Sequence, residues 1–541
     1  MAVKKTTGAD IEFGNSIMGD DDHGRGTSSS WRACEYLLAE APGQSFERSF
    51  CRRPVTPVQS NPHDAEEESE APAVQDVGNR NGSHAAYGSG SRYGYGYGYG
   101  YGGYSGYSGY SGYGYDSGYG YGGYGWNYQD YGRRWGNYCL YGDMGHCEGC
   151  LPESFSAFDH VALLHGLYDE VARMTALANA KLPAGHELFV TANNSDGTSE
   201  TSWGGHFNMC IDRKLFRAVF ERKPHTLGFL ASYLAAASVV FGQGHVLRRT
   251  TRNGRRRGKF VLSSRAHHMG VLVDPSTTIP YRRPLVNSRD ESHGNKRIAR
   301  LHLICFDTSL QQVGALLRVW LTQAFLGAME CGYCDPALML DDPVAAVKTW
   351  SQGFVPRSGM VEPRPRLAMG GRISLVELLS GITEGVARYI ADGQLGPQLV
   401  PDSQSILPIW QKVLGHLERG DVQELAHYLD WPLKYLIIDR EMNQKRVALS
   451  SDEIALVNQL YSHIDKRVGL YWHFLETGFA ARCVSTERVD RIQSEGPTDT
   501  RAYARKAIIS KFADDVRDVD WSKITVDVQG EDRWSRPRKY I

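Results

Sequence analysis

Five short segments place acidic, histidine, arginine and asparagine residues beside glycines inside otherwise apolar, strand-like sequence. In GADIEFG, residues 8–14, Asp10 and Glu12 are two positions apart. Side chains so spaced on a strand point the same way, so the two carboxylates could hold one divalent cation. LYGDMGHCEGCLPE, residues 140–153, packs Asp143, His146, Glu148 and Glu153 into eleven positions. Glu148 and Glu153 flank a turn with Gly149 and Pro152 and could share a metal. Asp143 is the candidate for attacking or deprotonating a reactant. NNSDGTSETSWGGHFN, residues 193–208, combines Asn193, Asn194, Asp196 and His206 with a Gly/Ser/Thr loop. Such a loop offers backbone amides to phosphate, although it is not a Walker-type loop.

The remaining two segments add cations. Arg265 in LSSRAHH and Arg289 in VNSRDESHGN are candidate phosphate clamps, because a guanidinium fork matches phosphate oxygens. Glu291 and His293 could complete a metal shell or hold the arginines. RLHLICFD, residues 300–307, sets Arg300 and His302 on one strand face. Charges on such elements need pairing or a metal. The inventory suits a nucleotide-plus-metal site with a bound carboxylate: cations neutralise a transferring phosphoryl group, arginines hold it, and a carboxylate manages a proton or attacks. Two CxxC pairs, Cys147/Cys150 and Cys331/Cys334, would suit zinc. They lie about 180 residues apart, outside compact zinc-module spacing, and read as incidental pairs.

The elements that must position these groups come from a chain of 541 residues, long enough for a large buried core. Its 60 basic and 61 acidic residues leave a net charge of -1, which offers no electrostatic argument for nucleic acid. The most apolar run, Leu227 to Phe241, is too short for a membrane span and reads as a buried helix. With no export signal at the first residues and ten scattered cysteines, a reducing cytoplasm is expected. Hydrophobic spacing predicts helices over 153–182, 309–330, 373–395, 405–419 and 421–442, and strands over 187–192, 207–211 and 300–307. Residues 1–19 read as an opening strand. Residues 20–130 read as a largely disordered insertion, with a Tyr/Gly-rich run over 89–130. Ordered sequence resumes at 131.

These segments, in this order, resemble the Pup ligase and Pup deamidase/depupylase family of proteasome accessory factors, a branch of the carboxylate-amine ligase superfamily that includes glutamine synthetase. The resemblance covers residues 8–19 and about 133–533. It rests on LYGDMGHCEGCLPE, NNSDG with GGHFN, RPLVNSRDESHGNKRIARLHLICFD, LDWPLKYLIIDR at 429–440 and GPTDTRAYARK at 496–506.

The resemblance implies an α+β fold: a large domain with a curved antiparallel sheet flanked by helices and holding ATP and Mg2+ (residues 131–420), and a smaller C-terminal domain (421–541). It implies Asp143 as the catalytic aspartate, with Asp10, Glu12, Glu148 and His302 around the metal. It puts Asn193, Asn194, His206, Arg265, Arg289, Arg300 and Arg501 in the nucleotide surroundings. The implied partners are a Pup-like modifier and its pupylated or lysine-bearing protein substrates, in a proteasome-linked pathway without nucleic acid or membrane. The spacing through HCEGCLPE, PTDTRAY and the long insertion are closer to the deamidase/depupylase branch, which predicts hydrolysis. Ligation and a non-catalytic adaptor are the alternatives. The chain departs from the family pattern at Asp10 (usually Glu), Cys147 (Pro), Ala192 (Lys) and Phe207 (Glu).

Overall fold

Strict two-residue alternation builds the sheet that carries the site. In strand β1 (Thr7–Met18), Ala9, Ile11 and Phe13 are buried, while Asp10 and Glu12 face the other side. The computed structural model describes residues 2–19, 26–47, 131–135, 138–197, 201–279, 282–290, 294–512, 515–519, 524–528 and 531–535. Residues 1–48 with 128–541 form one compact unit. Residues 48–130, and with them the whole Tyr/Gly-rich run, lie outside the described residues, as do Glu291 and His293.

After β1 come helix α1 (Gly26–Glu40), β2 (Gln44–Glu47), β3 (Tyr131–Trp135), β4 (Tyr138–Asp143) and β5 (His146–Cys150). Helix α2 (Ala157–Asn179), β6 (Glu187–Thr191), β7 (Gly205–Asp212), the short α3 (Arg213–Arg217) and α4 (Pro224–Val240) follow. The hairpin β8 (His245–Thr250) and β9 (Arg256–Val261) precedes β10 (Val271–Asp274), β11 (Pro284–Asn287), β12 (Ile298–Leu303) and α5 (Gln312–Glu330). The main sheet runs β10-β11-β12-β7-β1-β5-β4-β3-β2, with β6 paired to the far half of β1. It is mixed, because β10 and β11 are parallel and the other pairs are antiparallel.

The core lies on the apolar side of this sheet. Helix α5 is buried from Gln312 to Met329, and α4 is buried throughout its C-terminal two-thirds. Both helices are predominantly apolar, as burial on every side favours. Fully buried Tyr233 of α4 and Phe325 of α5 stack between them, with ring centroids 4.1 Å apart. The Leu227–Phe241 run is therefore a core helix, and among the described residues no helix is long and apolar enough to cross a membrane.

Three boundaries differ from the sequence expectation. Helix α1 falls inside the stretch assigned to the insertion, yet Ala33, Cys34, Leu37 and Leu38 form a buried stripe packed on the core. Its polar Gly/Ser start hid that stripe. Strand β12 stops at Leu303 instead of 307. Beyond it, the Asp307 carboxylate accepts the backbone amides of Gln243, Ser264 and Arg265 and cannot stay in the ladder. The helix expected over 421–442 is two, Val422–Leu425 and Asp430–Lys445. The break frees Asp430 to accept from Ser309, the amides of Leu310 and Gln311, and the Tyr461 hydroxyl. This buried carboxylate ties the smaller C-terminal domain to the start of α5.

Candidate functional site

Register brings the polar faces of four strands into one patch. Glu12 is directly opposite Glu148, which is opposite Tyr141. One step along, Asp10 lies between Cys150 on one side and His206 on the other. On β7, His206, Asn208 and Cys210 share the site face while Phe207, Met209 and Ile211 are buried behind it. On β12, Arg300 and His302 do the same, with His302 opposite Asn208.

Two groups of ligand atoms result, each with its members within 4.8 Å of one another: Asp10, Glu148 and His206, and Glu12, Asp143 and Glu148. Glu148 belongs to both. Burial, followed by the charges of Glu12, Asp10 and Asp143, pushes the Glu148 carboxyl well above its ordinary value. Burial also raises Glu12, although the Gly204 amide, His146 and Arg265 pull it back. His206 is driven down to about 3, first by burial and then by Arg265, Arg300, Arg289 and Arg283. It is thus a neutral imidazole at any working pH, the form that binds metal. Four crowded carboxylates, Asp10, Glu12, Asp143 and Glu148, beside a neutral histidine make a donor set that fits hard divalent cations.

The loop before β7 shapes this cradle. Gly204 donates its amide to Glu12 Oε2 at 2.6 Å. A Cβ there would stand 2.5 Å from His206 Nε2 and 2.7 Å from Glu12 Oε1, so only glycine leaves both ligands in place.

Asp143 ends β4 at a two-residue turn. Met144 and Gly145 both have positive φ, 49° and 91°, as the tightest hairpin turn with the right twist demands. Asn15 holds this turn: its amide donates to the carbonyls of Gly145 (3.0 Å) and Ser30 (2.7 Å), and its oxygen accepts the Cys147 amide (2.9 Å). Ser30 of α1 donates to Gly145 as well. His146 stacks on Trp203 with ring centroids 4.6 Å apart.

Other expected residues take different places. Asn193 and Asn194 are buried, and their amides are used inside the protein. Asn193 bonds Thr191 and Gln459; Asn194 bonds Trp203, Thr308 Oγ1 and the Thr308 amide. They fix the loop that carries Trp203 and Gly204. Arg265 is fully buried, donating to the carbonyls of Ile304 and Trp203, a fixed charge beside Glu12. Glu153 does not share a metal with Glu148. It forms a two-point ion pair with Arg505, and Arg501 lies 4.0 Å away. Arg289 is half-buried, its amide bonded to Asn287, and its charge bears on His206 and His302. His302 falls outside both ligand groups. Its Nδ1 bonds Asn208 at 2.8 Å, and its buried Nε2 has no hydrogen-bond partner among the described residues. Cys147 and Cys150, three apart on a strand, face opposite sides, so they cannot act as one chelate pair.

Sequence reasoning missed Asn208. It donates to Asp10 (2.9 Å) and accepts from Arg300 (3.0 Å) and His302, joining acid, arginine and histidine. Its spacing of two from His206 was the available signal. Arg283 was also missed. It opens the RPLVNSRDESHGN segment, which was the available signal, and its charge acts on both Arg265 and Glu12.

The sheet that carries the two acid groups belongs to a fold shared with solved Pup ligases. The family model described as Pup-ligase protein matches residues 136–525, and the chain belongs to that family. Among curated relatives, a Pup–protein ligase of Brachybacterium faecium is 27% identical over 397 residues, covering 71% of this chain and 79% of the relative. A depupylase of Acidothermus cellulolyticus is 28% identical, covering 73% and 75%. A Pup deamidase/depupylase of Mycolicibacterium smegmatis is 29% identical, covering 72% and 74%. Two solved structures share the fold. The ligase PafA in complex with Pup has a TM-score of 0.69 at 17% identity, covering 99% of this chain and 90% of that one. The ligase PafA with ADP has a TM-score of 0.64 at 23% identity, covering 75% and 86%.

Proposed function

We propose that this chain is an ATP- and magnesium-dependent enzyme that joins the C-terminal glutamate side chain of a Pup-like modifier to a substrate lysine. The observation that carries the reading is Glu148, shared by two contiguous acid groups. Asp10, Glu148 and His206 would hold one cation, and Glu12, Asp143 and Glu148 a second. Bound magnesium supplies charge neutralisation for a transferring phosphoryl group. ATP would phosphorylate the terminal carboxylate. The lysine amine would then attack the activated carbonyl, phosphate would leave, and Asp143 would take the amine proton as the C–N bond forms. Arg265 and Arg283 would supply fixed positive charge beside Glu12. Support for nucleotide use comes from the similar ligase solved with ADP, and for ligation from the ligases among the relatives and both solved neighbours.

Hydrolysis is the second reading, favoured by the depupylase relatives, which are as similar as the ligases, and by the HCEGCLPE spacing. Here Asp143 would attack the side-chain carbonyl or activate water, and ammonia or the lysine amine would leave. In either direction, β1, α1 and residues 131–420 would form the catalytic domain and 421–541 the C-terminal one. A non-catalytic adaptor role is less well supported, because the acid groups are intact.

The test incubates the protein with ATP, magnesium, a lysine-bearing target and Glu- or Gln-ended modifier, read by mass spectrometry. A covalent adduct supports ligation; a deamidation shift, or release from a preformed conjugate, supports hydrolysis. Absence of all three, with nucleotide bound, would overturn the proposal.

A further inference from the structure

Four of the ten cysteines lie on or against strands β4 and β5, and they fall into two touching pairs on opposite faces of β5. Behind the sheet, Cys147 is in hydrogen-bonding contact with Cys34 of α1. These thiols are 0% and 2% exposed, so the core shields them from solvent. On the site face, Cys150 is in the same contact with Cys139, and both are partly exposed. Cys139 is directly opposite Cys150 in the β4–β5 register. Opposed residues of an antiparallel pair have Cα atoms about 4.5–5.5 Å apart, inside the roughly 4.4–6.8 Å that a disulfide spans. The two strands already stand at bonding separation.

The site-face pair is tied to the candidate cation ligands. On its other side Cys150 is opposite Asp10, so Cys139, Cys150 and Asp10 form one row across three strands. The Cys150 thiol donates to Tyr141 Oη at 3.7 Å, and the Tyr141 hydroxyl donates to Glu148, the carboxylate common to both acid groups. A thiol can donate along this chain, whereas a disulfide sulfur has no hydrogen to give.

We propose that Cys139 and Cys150 are a modification site, which hydrogen peroxide closes into a disulfide that weakens the adjoining cation site. One thiol, deprotonated, attacks the peroxide O–O bond. An S–O bond forms, and the hydroxide released leaves as water with the thiol proton. The second thiol attacks the resulting sulfenic sulfur; the S–S bond forms, the S–O bond breaks and a second water leaves. The two sulfurs together give two electrons to the peroxide, and a thiol reductant returns them. Oxidation takes the Cys150 hydrogen away from Tyr141, so the chain that steadies Glu148 loses its outer member. The effect on the cation site rests on the function proposed above, while formation of the bond rests on the strand register alone.

The experiment treats the reduced full chain with hydrogen peroxide and compares it with its Cys139→Ser variant, which keeps the Cys150 donor to Tyr141. Cleavage after Asp143 and Glu148 puts Cys139, Cys147 and Cys150 on separate peptides, so mass spectrometry identifies the linked pair. Calorimetric titration reads magnesium affinity, and dithiothreitol tests reversal. The expected result is a loss of two hydrogens with the Cys139 and Cys150 peptides joined. Magnesium should bind the oxidised protein about three- to tenfold more weakly, a smaller loss than removal of a group bonded directly to a ligand, and dithiothreitol should restore it. Cys139→Ser should bind magnesium as the reduced parent does and keep that affinity in peroxide. Peroxide that joins Cys34 to Cys147 instead, or leaves Cys139 and Cys150 unlinked, overturns the proposal. So does a linked protein with unchanged magnesium affinity, or an equal loss of affinity in Cys139→Ser. Reduced protein that binds no magnesium would count against the proposed function, and the mass readout would still decide whether the bond forms.

Discussion

Glu12 and Glu148 face each other across adjacent antiparallel strands, β1 and β5, with no residue between them in the register. Directly opposed like charges weaken a strand pair by a few tenths to about 1 kcal/mol, and burial adds to the cost. The pair is intelligible as a cation site, in which the ligand removes the repulsion. That geometry has measurable consequences.

Glu148→Gln removes the charge shared by both acid groups. The metal-free variant should unfold about as easily as the parent or be up to ~1 kcal/mol more stable, while magnesium affinity and turnover fall together, each by about tenfold or more. Calorimetric magnesium titration and denaturant melts check both halves. Unchanged turnover would remove Glu148 from the site.

Acidity is a second handle. Glu148 and Glu12 titrate above the ordinary 4.5 in the folded protein. The metal-free native state therefore holds protons that the unfolded chain releases, and its stability should fall as pH rises from that ordinary value through the raised ones. Magnesium takes the place of those protons. The gain in melting temperature on adding magnesium should be larger near pH 8 than near pH 5, and binding should release protons into buffer. A gain independent of pH would contradict this account.

Gly204→Ala tests the cradle with a single methyl group. Its φ is not in the left-handed region, so the backbone tolerates alanine; the strain falls on His206 and Glu12. We expect about tenfold weaker magnesium binding with melting shifted by only a few degrees. Wild-type affinity in this variant would show that the two side chains can move aside.

Asn208→Ala removes the bridge between Asp10, Arg300 and His302. Loss of a residue that orients metal ligands typically costs 10–100-fold in affinity or activity, and about that loss is expected here. Magnesium titration separates it from a folding defect, since Phe207 and Met209 still anchor β7 in the core.

The acid groups were legible in the amino-acid order because alternation is local. Asp10 with Glu12, and Arg300 with His302, each share a face by strand geometry alone, and the buried residues between them confirm the period. The α5 and α4 helices were legible from their predominantly apolar sequence. What defeated sequence reasoning was competition for polar groups. Asn193 and Asn194 look like ligands, but Asn193 is engaged by Thr191 and Gln459, and Asn194 by the Trp203 carbonyl and the Thr308 amide. Glu153 looks like a metal carboxylate, but Arg505, more than three hundred residues away, arrives first.

The sequence by itself determined which side chains carry charge into the sheet, which face each one takes within its own strand, and which helices must be buried, because these follow from residue type and a period of two or about four. Only the tertiary structure decided that β5 and β7 flank β1, so that Glu148 meets Glu12 and His206 meets Asp10, and that α1 belongs to the core and braces the Asp143 turn. Strand order depends on how distant hydrophobic faces pack together, and no local spacing encodes it.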